Sequence, residues 1–260
     1  MEESPTTVPL GAPYQPTSRL APIPDPLPRW LAGLQALMVC GVPTQLIVAA
    51  LLATVLHLPI FDGPAAISFR FFVLLTVCDT ALVALLIWTF LRMGGERSVD
   101  VFVGARPIRG EVLRGLALVP VVFLAVTGIV LGLRAVAPWT HTVEQNPFES
   151  FLGSPVKALV FVAVVVLGGG VREELQRAFI LHRFDQRLGG ARVGLVLFSL
   201  TFGALHLDQG VDVAIAIGLL GLLWGIIYIR RRSAVLSMVN HGTFNAIQVA
   251  QGVIAKALGG

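Results

Sequence analysis

Seven apolar runs set what this chain can fold into. They are Leu31–Leu58, Phe71–Leu91, Leu116–Val136, Val156–Leu181, Val193–Leu207, Val211–Ile229 and Ala234–Ala257. A helix that crosses a bilayer needs roughly 20 mostly apolar residues. The fifth run is short and is read as extending back through Ala191. In lipid every backbone N–H and C=O must be satisfied within the protein, so such runs fold as helices. The chain is 55% hydrophobic and 13% charged, where a soluble domain carries about a quarter charged residues. The expected fold is therefore an all-α, polytopic membrane bundle of about seven transmembrane helices in a cell membrane. A net charge of +4 does not point to nucleic acid here. The arginines cluster between apolar runs, where they mark cytoplasmic loops.

Arg92, Arg97, Arg106, Arg109 and Arg114 fall between the second and third runs, Arg183, Arg187 and Arg192 between the fourth and fifth, and Arg230, Arg231 and Arg232 between the sixth and seventh. The connections 137–155 and 207–212 carry no lysine or arginine. This alternation puts the N-terminus in the cytoplasm and the C-terminus outside. Residues 1–30 are rich in proline and lack a basic segment followed by an apolar one, so they read as a disordered cytoplasmic tail and not a cleavable signal. Residues 31–149 then hold the N-terminal transmembrane helices, and 150–257 the helices that carry the polar motifs. Cys40 and Cys78 lie within apolar runs in no ligand spacing, as buried free thiols would. No internal repeat is visible, which leaves a duplicated transporter without support. Gly221 and Gly225 allow close helix approach, within the bundle or between subunits, so oligomeric state stays open.

Glu173 and Glu174 sit inside the fourth run, after Gly168-Gly169-Gly170. Ionisable groups in lipid cost about 2.5–3.5 kcal/mol each on insertion scales and by default mark a functional site. Two further polar groups fall on later runs: Phe202 with His206, and His241 with Asn245. At about 1.5 Å rise per residue, Glu173 and His241 lie roughly 12 Å from the cytoplasmic ends of their helices and His206 roughly 18–21 Å from its own. Helix tilt lets these depths converge on one cavity. Glu173 and Glu174 are four and three residues from Arg177, which can pair with one carboxylate and leave the other free. His241 and Asn245 share a helix face. Peptide hydrolysis needs a base for water and donors for the oxyanion, and these groups supply both.

Glu173-Glu174 with Arg177, Phe202 with His206 four residues on, and His241 with Asn245 four residues on, in that order on consecutive helices, resemble the CPBP family of CAAX-protease and bacteriocin-processing intramembrane proteases. The resemblance covers roughly residues 150–250. It implies an intramembrane endopeptidase acting on a membrane-associated protein or peptide. Glu173 and His206 would activate a water, and His241 and Asn245 would stabilise the oxyanion. Glu174, Arg177 and Phe202 would support them. No cofactor is expected. Zinc is the alternative, with Glu173, His206 and His241 as ligands, although the chain has no HExxH pairing. A non-enzymatic scaffold or bacteriocin-immunity protein that binds a peptide in the same cavity is the second reading of the motifs. The substrate is not named by the sequence, nor whether it is prenylated.

Other polar residues receive plainer readings. Asp79 is an intramembrane carboxylate that matches none of the motifs. His182, His57 and His141 read as interfacial or loop residues, and Arg230-Arg231-Arg232 as a topology signal. Three glycines in a row ahead of Glu173 either bend the fourth helix or allow close packing on a neighbour.

Overall fold

The computed structural model of the chain describes residues 27–63, 66–144 and 147–259. The expected tail lies outside the described residues as far as position 26. Among the described residues the fold is all-helical, apart from an isolated bridge between Phe61 and Ile67. Ten α-helices follow one another: α1 Arg29–Val39, α2 Val42–Thr54, α3 Phe69–Met93, the short α4 Ser98–Phe102, α5 Ile108–Val136, α6 Pro155–Val165, α7 Glu174–Arg187, α8 Ala191–Ala204, α9 Val211–Arg231 and α10 Val235–Gly259. A π-helical segment, Val166–Glu173, joins α6 to α7 without a break.

The first apolar run does not form one straight helix. It divides at Cys40-Gly41, and α1 and α2 meet at 48°. Gly41 has φ +99, which a side chain would strain, and Pro43 stands in the first turn of α2, where its missing N–H costs nothing. The break frees the carbonyl of Val39, and Gln176 Nε2 from α7 donates to it at 2.8 Å. An unpaired carbonyl in an apolar bundle is thereby avoided.

Helices α3, α5, α6–α7 and α9 are long and apolar enough to cross a membrane, and the bent α1–α2 pair makes a fifth. Helix α8 has 14 residues, about 21 Å at helical rise. It begins at Ala191, as expected, but stops at Ala204 and so leaves His206 outside the helix. Helix α10 is long, but Asn240, His241, Asn245, Gln248 and Gln251 interrupt its apolar character. The seven expected crossings are therefore five by length and composition. Outward residues such as Leu124, Leu159 and Leu200 are exposed, as side chains facing acyl chains are. Cys78 is exposed and Cys40 half-buried, both free.

Small residues set the tightest contacts. Gly203 on α8 meets Gly218 on α9, and Gly221 meets Ser199 and Phe202 on α8. The glycines of the sixth run thus pack within the bundle. Arginines expected in loops are partly committed to ion pairs at one end of the bundle. Arg183 is buried in α7 and bonds Glu96 at 2.5 Å and Gln35 at 2.8 Å. Arg231 pairs with Glu111, and Arg232 with Asp185 at 2.8 Å. At the opposite end, Asp212 takes Arg134 at 2.7 Å and lies 3.2 Å from His141.

Candidate active site

The site begins with a helix that is locally underwound, its hydrogen bonds running from i to i+5 over Val166–Glu173. Gly168, Gly169 and Gly170 all lie in the π-helical segment, and each faces a neighbour that leaves no room for a Cβ. A Cβ on Gly168 would stand 2.8 Å from Thr76 on α3, and one on Gly170 would stand 2.6 Å from the Gly242 Cα on α10. A Cβ on Gly169 would strike Asn245 and approach His241 Nε2 to 3.3 Å. Of the two expectations for this triplet, close packing holds, and the helix answers the glycines with a π segment. Single-turn π segments recur at functional sites because they re-aim the residues that follow. Here Glu173 is the last residue of the segment and Glu174 the first beyond it.

The two carboxylates have different surroundings. Glu174 is buried with Arg177, and the two form an ion pair within one turn. Glu174 Oε1 also takes a hydrogen bond from His241 Nδ1 at 3.0 Å. Two nitrogens of the Arg177 guanidinium have no acceptor among the described residues. They lie instead in a cage of rings, with the guanidinium carbon 4.8 Å from Phe202, 5.2 Å from Phe198 and 5.4 Å from Trp224. Aromatic faces stabilise a cation that water cannot reach. Glu173 is different: its side chain is 16% exposed, into a cavity, and its Oε2 is 3.8 Å from His241 Nε2. That is beyond hydrogen-bond range, so neither atom is committed to the other.

Hydrogen bonding fixes the imidazoles. A carbonyl only accepts, so His206 Nδ1 donates to Phe202 O at 2.7 Å. In the neutral ring Nε2 then carries a lone pair. His241 Nδ1 likewise donates to the Glu174 carboxylate, which turns Nε2 towards Glu173. Trp224 stacks on His241 with ring centroids 3.9 Å apart and planes 17° apart. Asn240 accepts from Trp224 Nε1 at 2.8 Å and in turn donates to Gly115 O at 3.0 Å. The imidazole is thus held by Glu174 at Nδ1 and by the Trp224 face, and Asn240 fixes the indole. Asn245 Nδ2 makes a long bond of 3.4 Å to Val165 O and otherwise faces the cavity.

Glu173, Phe202, His206, His241 and Asn245 line one cavity of about 1090 Å³. Glu174 and Arg177 lie behind its wall. A second, more apolar cavity of about 920 Å³ adjoins it, and Arg172, Glu173, Phe202 and His206 line both. The three sequence motifs therefore converge. Asp79, Arg172, Trp224 and Asn240 were missed as parts of the site. Asp79 carried a signal, as an ionisable group in an apolar run. Trp224 carried none, because an aromatic in an apolar helix is ordinary. A metal requires three or four donors on one point. No group of three His, Cys, Asp or Glu side chains among the described residues is so arranged. The donors as placed do not fit a zinc ion, and no step is routed through one.

Residues 155–247 match the family model for Rce1-like type II CAAX prenyl endopeptidases. No curated protein and no solved structure matches the chain. The architecture is that of a multi-pass membrane protein with a polar cavity between its helices. The segment that supplies all three motifs to that cavity is similar to the CAAX-protease family, which suggests intramembrane CAAX-protease activity.

Proposed function

We propose that the chain is an intramembrane endopeptidase that hydrolyses a peptide bond in a membrane-associated protein or peptide, without metal. Glu173 is the base that takes a proton from water, and His206 Nε2 helps orient that water and passes the proton on. The water oxygen attacks the carbonyl carbon, and the charge that develops on the carbonyl oxygen is met by the Asn245 amide and by His241 Nε2–H. The proton is then delivered to the departing amine. For His241 to donate from Nε2 while Nδ1 donates to Glu174, the ring must be an imidazolium. The observation that carries the reading is Glu173, a carboxylate with only a long 3.4 Å bond to Arg172, facing His241 across 3.8 Å, on a cavity wall shared with His206 and Asn245.

The test is turnover of a quenched fluorescent peptide ending in a prenylated CAAX sequence by detergent-purified protein. Wild type, Glu173→Gln and His206→Ala are assayed with and without a strong zinc chelator. The reading requires that both variants lose turnover and that chelator has no effect. Loss of activity with chelator and its return with zinc would transfer these residues to a metal site. No turnover by folded wild type would favour a peptide-binding scaffold.

A further inference from the structure

Asp79 lies on α3, outside the motifs and outside the segment that matches the family. Its side chain is fully buried, and Oδ2 stands 2.5 Å from Arg172 Nη1. Its other oxygen has no partner among the described residues. The same guanidinium donates a longer bond, from Nη2 to Glu173 Oε1 at 3.4 Å. Gln45 on α2 completes its setting: with the amide oxygen turned to the guanidinium, Gln45 accepts from Nη1 at 2.8 Å and from Nη2 at 3.1 Å. Two helices thus hold an arginine at the shared wall of the two cavities, beside Glu173.

The pairing of charges is uneven in a useful way. Two guanidiniums and three carboxylates meet here. Arg177 is taken by Glu174 and Arg172 by Asp79. Glu173 keeps only long contacts, 3.4 Å from Arg172 and 3.8 Å from His241. We propose that Asp79 is a positioning residue for the reaction: by taking Arg172 at 2.5 Å it keeps the guanidinium at a long 3.4 Å bond to Glu173, so that the Glu173 carboxylate is only weakly held and able to take a proton from water. This rests on Glu173 being the base. If Asp79 loses its charge, a nearly buried guanidinium keeps one carboxylate within reach, which is Glu173. A buried cation pairs with whatever anion it can reach, and that pairing would immobilise the base. The other groups around Glu173 stay in place: Glu174 beside it, His241 on α10 and His206 after α8.

The test uses the full chain in detergent as wild type, Asp79→Asn, Asp79→Glu, Glu173→Gln and the double variant Asp79→Asn with Arg172→Gln. One readout needs no substrate. Dicyclohexylcarbodiimide modifies reactive carboxyl groups in apolar sites, and mass spectrometry gives its rate at Glu173. Glu173 is expected to react in wild type, about tenfold more slowly in Asp79→Asn, and again at the wild-type rate in the double variant, where the guanidinium has gone with its partner. The second readout is turnover of the prenylated CAAX peptide. Asp79→Asn is expected to lower kcat about 100-fold, with KM within about twofold. Asp79→Glu retains most of the activity, and the double variant regains at least about tenfold over Asp79→Asn. A purely structural Asp79 would instead give losses that follow Tm and a double variant no better than the single one. That result, or unchanged Glu173 labelling in a folded Asp79→Asn, overturns the proposal. If Glu173→Gln cleaves as well as wild type, it is the base assignment that fails, and the labelling data identify that case separately.

Discussion

At the scale of the residue, two carboxylates one position apart are assigned different roles because their neighbours differ. Glu173→Gln keeps shape and removes the proposed base, so turnover should fall by about 10²–10⁴-fold with Tm unchanged, which paired activity and unfolding assays would show. Glu174→Gln breaks a buried pair and leaves Arg177 uncompensated, so the loss should be in stability, about 3–5 kcal/mol, read as a large fall in Tm. Equal Tm values for the two variants would contradict this division. Outside the membrane segments, Glu96 makes a pH-dependent clasp. Burial acts to raise its pKa, but the His182 hydrogen bond and the Arg183 charge outweigh that and hold it at about 2, below the ordinary 4.5. A depressed carboxylate contributes stability that is present above about 4.5 and lost as pH falls towards about 2. The Tm gap between wild type and Glu96→Gln should accordingly be widest above pH 4.5 and close on acidification through that window. A gap that is constant with pH, or grows in acid, would refute the assignment. The pairing of Arg177 with one glutamate was legible from spacing alone. Which glutamate it takes was not, because that depends on His241 arriving from a helix 67 residues away.

At the scale of the element, the glycine triplet separates two roles that the sequence leaves mixed. Gly170 faces the backbone of Gly242, which cannot yield, whereas Gly169 faces the ends of two side chains. Gly170→Ala should therefore destabilise the protein by about 1–3 kcal/mol, seen in Tm. Gly169→Ala should keep the fold and displace Asn245 and His241, lowering kcat about 100-fold. If Gly169→Ala leaves kcat intact, Asn245 and His241 do not need their observed positions. Elements were legible wherever hydrophobicity decided them: α3, α5, α6–α7 and α9 fall where the apolar runs do. Three things were not. The first run breaks at Gly41 because Gln176, a distant side chain, satisfies the freed carbonyl. Helix α8, from the fifth run, ends two residues before His206 because a turn at Leu207–Gln209 must reverse the chain into α9. The π segment is set by contacts to α3 and α10, and no local pattern encodes those. Composition likewise undercounts α10, whose polar residues face the cavity while its length is ample.

At the scale of the molecule, the connections sort to two ends in the order that the arginines imply. The link from α3 to α5, the end of α7 and the α9–α10 junction lie together, tied by Glu96 with Arg183 and by Ala234 N donating to Phe102 O at 2.8 Å. The link from α5 to α6 and the turn before α9 lie together at the other end, where Val211 N donates to Thr142 Oγ1 at 3.2 Å. Even the short α8 thus runs from the arginine-rich end to the other, and its limited length fits a locally thin or water-filled region around His206. The positive-inside rule would put the arginine-rich end in the cytoplasm. Topology can be read in a variant with Cys40 and Cys78 replaced by serine. A single cysteine is then introduced at Glu144 or at Arg109, both exposed and on opposite ends. A membrane-impermeant maleimide should label Glu144→Cys in intact host cells and Arg109→Cys only after permeabilisation. The reverse pattern would invert the protein and open the basic end to the outside. Labelling of both from one side would mean that α5 does not cross, which its 29 residues and low burial make untenable for a helix in water. With the expected pattern, the end of α7 faces the cytoplasm, and the cavity at Glu173 lies about 21 Å above it at helical rise, within the membrane.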